Sequence, residues 1–322
     1  MRVAVLSGGR SSEHEVSLRS GASVAAGLLE AGHEPVPVLI DRDGRWSQDE
    51  AAVQLVPGEG LLGCEAAFPV LHGPFGEDGS VQGLLESLDV AYVGADVLAS
   101  ALCIDKLNFK RLLIVEGIPQ VDFVQAGVPG WRERAAGFGL PLWVKPSRLG
   151  SSVGITKVTS PEKGLDEAIE LAARHDPRVI IEASAEGREV ECSVLGNEDP
   201  QVSQPGEIVA HADWYDYEAK YSEGGMELVV PAPLPDPVLT RISEMAALVF
   251  GLAGCSGLAR CDFFVIDDDV VLVNEVNTMP GFTETSVYAK LLEADGIDYP
   301  SLCDRLVRLG IERYERARSF DF

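Results

Sequence analysis

The amino-acid sequence predicts an α/β fold (α+β elements) whose N-terminal part is a parallel β-sheet. Arg2 to Leu6 form a short apolar run that ends in the turn Ser7-Gly8-Gly9. A helical pattern follows from about Glu15 to Ala31, and a second apolar strand spans Val36 to Ile40. A strand, a Gly-rich turn, a helix and another strand make a βαβ unit, in which the two strands are parallel. With 322 residues, the chain is expected to form two or three domains.

The composition is that of an ordinary globular chain with a strong excess of acidic residues. Hydrophobic residues make up 46% and charged residues 24%, while 51 Asp and Glu against 26 Lys and Arg give a net charge of -25. This charge argues against nucleic acid as a partner, because nucleic-acid binding needs a basic surface. An anionic substrate is therefore expected to be held by a few local lysines and arginines.

The cysteines and the apolar runs indicate a cytoplasmic protein that does not associate with membranes. The 6 cysteines are scattered without a C-x-x-C pair, as expected for reduced thiols in a reducing compartment. No apolar run approaches the ~20 residues that a membrane-spanning helix needs. The first nine residues also lack the apolar core of a signal peptide.

The stretch from Gly257 to Gly281 is the strongest candidate for a functional site. Two apolar runs, Cys261–Ile266 and Val270–Val273, flank the acidic triplet Asp267–Asp269, and this pattern predicts a β-hairpin. The simpler interpretation is a solvated hairpin end with a surface salt bridge. The number of polar residues that alternate with apolar ones favours a site.

The register of this hairpin predicts a metal site. A turn centred near the last two aspartates of the triplet places Asp262 opposite Glu275, and directly opposite residues point to the same face. Residues two apart on a strand also share a face, which adds Arg260 and Asn277 to the cluster. Two carboxylates and an amide oxygen suit Mg²⁺, which typically takes one or two carboxylates plus phosphate oxygens.

Two glycine-rich loops are predicted to meet ligands at the carboxyl edge of the N-terminal sheet. The first carries Glu13, which would either contact a ligand there or cap the following helix. The second spans His72 to Gly83 and also contains Glu77 and Asp78. A loop with this many glycines is costly in entropy unless it binds something, although His72 alone would be an ordinary loop histidine.

Two lysines and a Gly/Ser loop predict a phosphate-binding region. Lys106 begins a helix, Lys145 ends a strand, and the loop Ser147–Ile155 follows that strand. A loop of this kind can fold over phosphate groups by offering N–H and hydroxyl donors. It lacks the Walker A pattern. Without the two lysines, a surface turn would be the preferred interpretation.

Weaker signals point to an adenine site and a lid. The strands Val179–Glu182 and Glu189–Leu195 are joined by a short polar segment that could hinge around an adenine. The aperiodic segment His211–Glu227 is long for a connection and indicates a functional loop or lid, in which Lys220 and Tyr221 are the reactive-looking residues.

The elements divide the chain into three expected domains, residues 1–104, 105–187 and 188–322. The first boundary is placed near Ala101 to Asp105, before a change in composition. In the last domain, helices are predicted at Val238–Ala253, Thr283–Leu292 and Ser301–Arg316.

Taken together, the motifs resemble those of the D-alanine–D-alanine ligase family within the ATP-grasp fold. The matching segments cover nearly the whole chain in the family's order. They are S-S-E-H-E-V-S (Ser11–Ser17), the His72–Gly83 loop, D-K-L (Asp105–Leu107), V-K-P-S-R-L-G-S-S-V-G (Val144–Gly154), Y-D-Y-E-A-K-Y (Tyr215–Tyr221), R-C-D (Arg260–Asp262) and N-E-V-N-T-M-P-G-F-T (Asn274–Thr283). The resemblance implies a three-domain ATP-grasp fold with an N-terminal parallel-sheet domain.

The resemblance also implies a reaction. Two D-alanines would be joined to D-alanyl-D-alanine for a peptidoglycan precursor, with ATP as cosubstrate and ADP and phosphate as products. An acyl phosphate would form on the first D-alanine, and the amine of the second would attack it. Two Mg²⁺ or Mn²⁺ ions per active site and a homodimer are the family expectation.

Residue roles follow from the same resemblance. The expected catalytic residues are Glu13, Ser151, Tyr221, Arg260 and Gly281. The expected substrate-binding residues are His72, Lys220 and Ser286. The expected ATP-binding residues are Lys106, Lys145, Ser152, Glu182, Ala183, Ala185 and Glu189. The expected metal ligands are Asp262, Glu275 and Asn277.

Two alternatives stay open. One is a related ligase of the D-Ala–D-Ser or D-Ala–D-Lac type, and the other is a nucleotide-binding relative without catalysis. Tyr221 matches the dipeptide-forming members, since depsipeptide-forming relatives usually lack this tyrosine. The chain departs from the family at Ala183-Ser184, where relatives often carry a bulkier or polar residue, and at Val273, where they often have Leu or Ile.

Overall fold

The computed structural model describes residues 1–210 and 226–320, apart from the side chains of residues 161–163 and 210. The first of three sheets has the order β4-β3-β2-β1-β5-β6 and is parallel from β2 to β6, which confirms the predicted βαβ unit. Its strands are β1 (Arg2–Gly8), β2 (Glu34–Ile40), β3 (Trp46–Gln48), β4 (Ala51–Ala52), β5 (Ala66–Pro69) and β6 (Ala91–Tyr92). Its helices are α1 (His14–Glu30), α2 (Ser80–Leu88) and α3 (Val97–Ile104).

Helix α1 is held tightly against the first sheet, and this fixes the loop that precedes it. A Cβ atom at Gly21 would lie 2.5 Å from the Cβ of Ser7, so only glycine allows this approach. The Ser17 hydroxyl accepts a hydrogen bond of 2.8 Å from the Gly8 amide and donates one to the Val70 carbonyl. The start of α1 is therefore tied to the ends of two strands, where a ligand site is expected in an open α/β sheet.

The second sheet is antiparallel and has the order β7-β10-β8-β9. Leu165, Ala168 and Ala172 of its long helix pack in one core with strand residues such as Val144 and Ile181. The strands are β7 (Phe123–Gln125), β8 (Leu142–Pro146), β9 (Thr156–Val158) and β10 (Val179–Ala183). The helices in this region are α4 (Lys106–Val115), α5 (Trp131–Ala136) and α6 (Pro161–Ala173).

The third sheet is antiparallel, with the order β14-β13-β11-β15-β16 and β12 paired to β11. Ile242, Val249 and Phe250 of its amphipathic helix share a core with inward-facing strand residues such as Cys261 and Phe263. The strands are β11 (Arg188–Gly196), β12 (Gln201–Val202), β13 (Gly206–Ala210), β14 (Met226–Val229), β15 (Gly257–Ile266) and β16 (Val270–Asn277). The helices are α7 (Asp236–Leu252), α8 (Val287–Ala294) and α9 (Tyr299–Ala317).

Helix α9 closes the core of the first sheet, although it lies almost 300 residues after β1. Its residues Leu302, Leu306 and Val307 belong to the same buried cluster as Val3 and Phe68. The sequence pattern predicted this helix but did not predict that it packs against the first sheet. The first and third parts of the molecule therefore share one hydrophobic core.

One helix boundary was wrong. The helix predicted from Thr283 begins only at Val287. The Thr283 amide donates to the Ser286 hydroxyl at 2.9 Å, so these residues form a turn that precedes the helix. Local hydrogen bonding by serine and threonine side chains competes with helix formation in this way.

All six cysteines are free in the structure, and each of them except Cys64 is buried. Within the part of the chain that the structure describes, no helix combines the length and apolarity needed to cross a membrane.

Candidate active site

A polar cavity of about 540 Å³ brings together residues from all three parts of the chain. Eight of the residues singled out from the sequence line it: Glu13, His72, Ser151, Arg260, Glu275, Asn277, Gly281 and Ser286. Met226 and Leu228 of β14 also line it. Lys220 and Tyr221 lie outside the described residues, and the segment predicted to reach Glu227 ends earlier, because β14 begins at Met226.

The predicted pairing of the hairpin is confirmed at its functional end. Asp262 lies opposite Glu275, and Arg260 lies opposite Asn277. The assumed turn centre was wrong, however: Ile266 pairs with Val270, which centres the turn on the middle aspartate of the triplet. A β-bulge between Asp262 and Phe263 on one strand accommodates an extra residue on the other and restores the expected pairs.

Arg260 is the centre of a buried charge cluster. Its guanidinium donates to both oxygens of Asp262, at 2.7 and 2.6 Å, and lies 2.9 Å from Glu191. Burial opposes the charge of Arg260, but Asp262 and Glu191 raise its pKa further above the ordinary value. Since Asp262 is only 8% exposed, the alternative of a solvated surface salt bridge is wrong.

Glu191 was missed by the sequence interpretation. It lies directly opposite Asp262 across β11 and β15, a contact between distant segments that periodicity does not reveal. Glu191 follows Glu189 by two residues on a predicted strand, and residues two apart on a strand share a face. This spacing was the signal that could have identified Glu191.

The oxygen donors of the hairpin fit a hard divalent cation. Asp262 and Glu275 provide carboxylates on one face, and the Asn277 side-chain oxygen, which accepts a hydrogen bond from the Met279 amide at 3.0 Å, lies beside them. Within residues 1–210 and 226–320, no three His, Cys, Asp or Glu side chains are grouped to hold a metal by themselves. Such a donor set is typical of Mg²⁺ that is completed by phosphate oxygens.

Glu13 lies in the cavity and does not cap α1 through its side chain. Glu13 is 5% exposed, and its carboxylate accepts a hydrogen bond from the Ser151 hydroxyl, which ties the Gly/Ser loop to the first sheet. A Cβ atom at Gly73 would lie 2.9 Å from the Glu13 carboxylate, and Gly73 has a φ of +74°. The geometry therefore favours contact of Glu13 with a ligand over the alternative that Glu13 caps the helix.

His72 is buried at the same end of the cavity. Its Nδ1 donates to the Met279 carbonyl at 3.1 Å and lies 3.6 Å from a Glu77 oxygen, while its Nε2 lies 3.2 Å from the Ser20 hydroxyl. Burial alone would lower the pKa of His72, but the adjacent Glu77 and the charge of Glu13 raise it above the ordinary value. The raised pKa widens the pH range in which the imidazole is charged, which suits a neighbouring anion.

The two predicted phosphate lysines lie beside the cavity. Lys106 donates to the Leu149 carbonyl at 3.0 Å and lies 3.5 Å from Glu275. Lys145 lies 2.6 Å from one oxygen of Glu182. The other oxygen of Glu182 lies 3.1 Å from Lys110, a buried lysine that the sequence interpretation missed although it follows Lys106 by one helical turn.

The remaining predicted ATP residues do not line the cavity. Glu182 and Ala183 end β10, and the Ala183 amide donates to the Asp122 carbonyl at 2.9 Å. Ser152 has a φ of +59°, in the Gly/Ser loop. Ala185 lies half-buried between β10 and β11, and Glu189 is exposed on β11.

A parallel-sheet unit followed by two antiparallel sheets, with lysines, carboxylates and a Gly/Ser loop meeting between them, defines an ATP-grasp enzyme. Family models support a narrower assignment: "D-ala D-ala ligase C-terminus" matches residues 112–308, and "D-ala D-ala ligase N-terminus" matches residues 2–62 and 57–95. The chain belongs to the D-alanine–D-alanine ligase family.

Individual relatives agree over nearly their whole length. The D-alanine–D-alanine ligase of Deinococcus radiodurans is 47% identical over 335 residues, which cover 97% of this chain and 98% of that one. The D-alanine–D-alanine ligase A of Mesorhizobium japonicum is 45% identical, covering 98% of this chain and 99% of the relative.

Solved structures of two ligases are also similar. The D-alanine–D-alanine ligase from Coxiella burnetii has a TM-score of 0.89 at 35% identity, covering 99% of this chain and 96% of that one. The VanG D-Ala:D-Ser ligase from Enterococcus faecalis has a TM-score of 0.86 at 33% identity, with coverages of 96% and 99%.

Proposed function

We propose that this chain joins two D-alanines to D-alanyl-D-alanine for a peptidoglycan precursor, with conversion of ATP to ADP and phosphate. The observation that carries the proposal is the convergence of Glu13, tied to Ser151, with Arg260 and the Glu275–Asn277 strand end on one cavity. A site that activates a carboxylate with ATP needs protein groups of opposite charge beside the charged groups of the substrate and beside the phosphates.

The first step uses the lysines and the N-terminal loops. Lys106 and Lys145 hold phosphate oxygens of ATP as point charges. Glu13 binds the ammonium group of the first D-alanine, and His72, whose pKa is raised by Glu77 and Glu13, lies near its carboxylate. The carboxylate oxygen takes the γ-phosphoryl group, the bond to ADP breaks, and an acyl phosphate forms.

The second step uses the third sheet. The amine of the second D-alanine, whose carboxylate is held by Ser286 and Lys220, attacks the acyl carbon and loses a proton. Arg260 and the Gly281 amide donate to the oxyanion of the tetrahedral intermediate, which then expels phosphate. Ser151 and Tyr221 hold the lids closed on Glu13 during this sequence.

The metal ligands are proposed to be Asp262, Glu275 and Asn277, for two Mg²⁺ or Mn²⁺ ions. Bound ions would neutralise phosphate charge and favour in-line transfer. Arg260 binds Asp262, and Lys106 lies 3.5 Å from Glu275. These side-chain cations neutralise the two carboxylates, and a bound metal ion would replace them.

The adenine and ribose are proposed to contact the end of β10 and the start of β11, through Glu182, Ala183, Ala185 and Glu189. The short side chains of Ala183 and Ser184 leave this contact to the backbone. Ser152 would cover the phosphates from the Gly/Ser loop, where its positive φ keeps the backbone in a tight turn.

The assembly and location are also proposals. The three sheets support domains at 1–104, 105–187 and 188–322, with α9 returning to the first. A homodimer is the family expectation. Six free thiols and the use of ATP support a cytoplasmic enzyme that acts on small molecules and binds neither nucleic acid nor membrane.

A phosphate-release assay with D-alanine, D-serine and D-lactate, each with and without Mg²⁺, tests the function. We expect release that requires ATP, D-alanine and Mg²⁺, with little use of D-lactate at neutral pH. The likeness to the D-Ala:D-Ser ligase from Enterococcus faecalis makes D-serine the competing acceptor. Mixed product with D-serine at equal concentrations would favour that subtype, and nucleotide binding without ADP formation would favour a non-catalytic relative.

A further inference from the structure

The buried charges around Glu182 form a group that the proposed mechanism uses only in part. Lys110 is 1% exposed and Glu182 is 2% exposed, so both are enclosed by protein. The two oxygens of Glu182 are divided between two ammonium groups, with Lys110 at 3.1 Å and Lys145 at 2.6 Å. The two lysines come from different elements, since Lys110 lies on α4 and Lys145 ends β8.

The charges of this group depend on one another. Burial would raise the pKa of Glu182, but Lys110 and Lys145 together lower it to about 2. Burial would lower the pKa of Lys145, and Glu182 raises it instead. The pKa of Lys110 is lowered, chiefly by burial, so its charge depends on the adjacent carboxylate.

Nucleotide binding would disturb this balance. An ammonium group has three N–H donors, so Lys145 can reach a phosphate oxygen while it still contacts the Glu182 oxygen that lies 2.6 Å away. Its charge is then shared with the phosphates, and a buried carboxylate that loses its only cation is strongly destabilised. With Lys110 in place, Glu182 keeps one cation that is not shared.

We propose that Lys110 is a positioning residue for ATP, which neutralises the Glu182 charge so that the charge of Lys145 is available to the phosphates. Lys110 is enclosed by protein and is not expected to touch the nucleotide, so it acts through Glu182 and Lys145. This inference rests on the proposed function, because it needs Lys145 to be a phosphate ligand.

The first test compares nucleotide affinities. Calorimetric titration with MgATP and with adenosine gives their affinity ratio for the full chain and for Lys110→Met. We expect the ratio to fall roughly tenfold in Lys110→Met, because the charge of Lys145 then neutralises Glu182, while adenosine affinity changes little. In Lys110→Met/Glu182→Gln, Lys145 has no carboxylate to neutralise, and the ratio should return to within about threefold of the parent value.

Lys157→Met is the matched control, since Lys157 is an exposed lysine of the same sheet that lies over the Trp143 ring, and β8 separates its strand from that of Glu182. Its ratio should equal that of the parent chain. An unchanged ratio in Lys110→Met, an equal loss of adenosine and ATP affinity, or no recovery in the double variant would overturn the proposal. Absence of MgATP binding by the parent chain would instead reject the proposed function.

A second measurement does not depend on the folding of a variant. In a crystal structure of the parent chain with Mg²⁺ and a non-hydrolysable ATP analogue, Lys145 should contact a phosphate oxygen. Lys110 should remain within hydrogen-bond distance of Glu182. Absence of a contact between Lys145 and a phosphate oxygen, or movement of Lys110 away from Glu182, would contradict the proposal.

Discussion

At the scale of single residues, the site is built from charges that satisfy one another before substrate arrives. Arg260 binds Asp262 and Glu191, and Lys106 lies against Glu275. Buried charges of this kind are tolerated because each has a partner, and removing one partner leaves the other exposed to the low-dielectric interior. Isosteric neutral substitutions therefore test function with less damage to the fold than truncations.

Replacement of Asp262 by asparagine should leave the fold intact and lower kcat by roughly 10² or more, because it removes a carboxylate proposed to bind metal. Circular dichroism and steady-state kinetics at several Mg²⁺ concentrations measure the two effects. Asp267→Asn, at the exposed hairpin turn, is the control and should behave as the parent chain. Near-normal turnover by Asp262→Asn would remove Asp262 from the metal site.

Glu77→Gln should lower the pKa of His72, because Glu77 opposes the effect of burial on that imidazole. A group whose folded pKa is raised stabilises the protein fully below its unfolded pKa, about 6.5, and this stability is lost as pH rises through the raised value. Glu77→Gln should therefore be more destabilising at pH ~6 than at pH ~8.5.

Two measurements check this pair. Nuclear magnetic resonance titration of the His72 ring reports its pKa, and urea denaturation at the two pH values reports the unfolding free energy. Glu59→Gln, an exposed substitution in the same part of the chain, serves as the control. An equal loss of stability at both pH values would show that Glu77 does not act through the charge of His72.

At the scale of elements, the sequence was informative where a period or a turn dictates structure. An assumed turn near the last two aspartates of the triplet predicted that Asp262 and Glu275 would pair, and they do, because the bulge compensates for the misplaced turn centre. The bulge beside Asp262 was not predictable, because residue alternation does not mark where an extra residue enters the strand pairing. Glu191 and Lys110 were missed for a related reason, since each acquires its role from a segment far away in sequence.

The His72–Gly83 loop offers a test of how an element positions a side chain. Gly73→Ala places a methyl group 2.9 Å from the Glu13 carboxylate at a φ of +74°. We expect a loss of about 1–2 kcal/mol from the left-handed backbone and a higher KM for D-alanine from displacement of Glu13. Urea denaturation and initial-rate kinetics give the two quantities.

Gly58→Ala is the matched control, because Gly58 has a φ of +77° and nothing within 4 Å of an added Cβ atom. It should lose similar stability and keep the parent KM. If Gly73→Ala also keeps the parent KM, Glu13 does not depend on the space that this glycine provides.

At the scale of the whole molecule, a net charge of -25 surrounds a cavity that contains its own cations. Arg19, Arg260 and Lys290 line the cavity. These positive groups would attract an anionic substrate locally, although the overall negative charge of the chain repels it, as the composition indicated. The same excess of negative charge opposes the compact state.

The midpoint of thermal unfolding should therefore rise by a few degrees when NaCl is increased from about 10 to 150 mM, because the screening length falls from roughly 30 to 8 Å. Differential scanning calorimetry of the parent chain measures it, with choline chloride in parallel to separate screening from binding of sodium. A constant or falling midpoint in both salts would show that self-repulsion does not limit stability.

The packing of α9 against β1 has a consequence for how the protein is made. Val3 and Phe68 emerge from the ribosome early, yet Leu302 and Leu306, which cover them, are synthesised near the end. Domains ordinarily fold in turn as the nascent chain lengthens. In this protein the N-terminal domain is translated first and keeps an exposed apolar face until α9 has been synthesised. In that interval the domain can bind chaperones or aggregate.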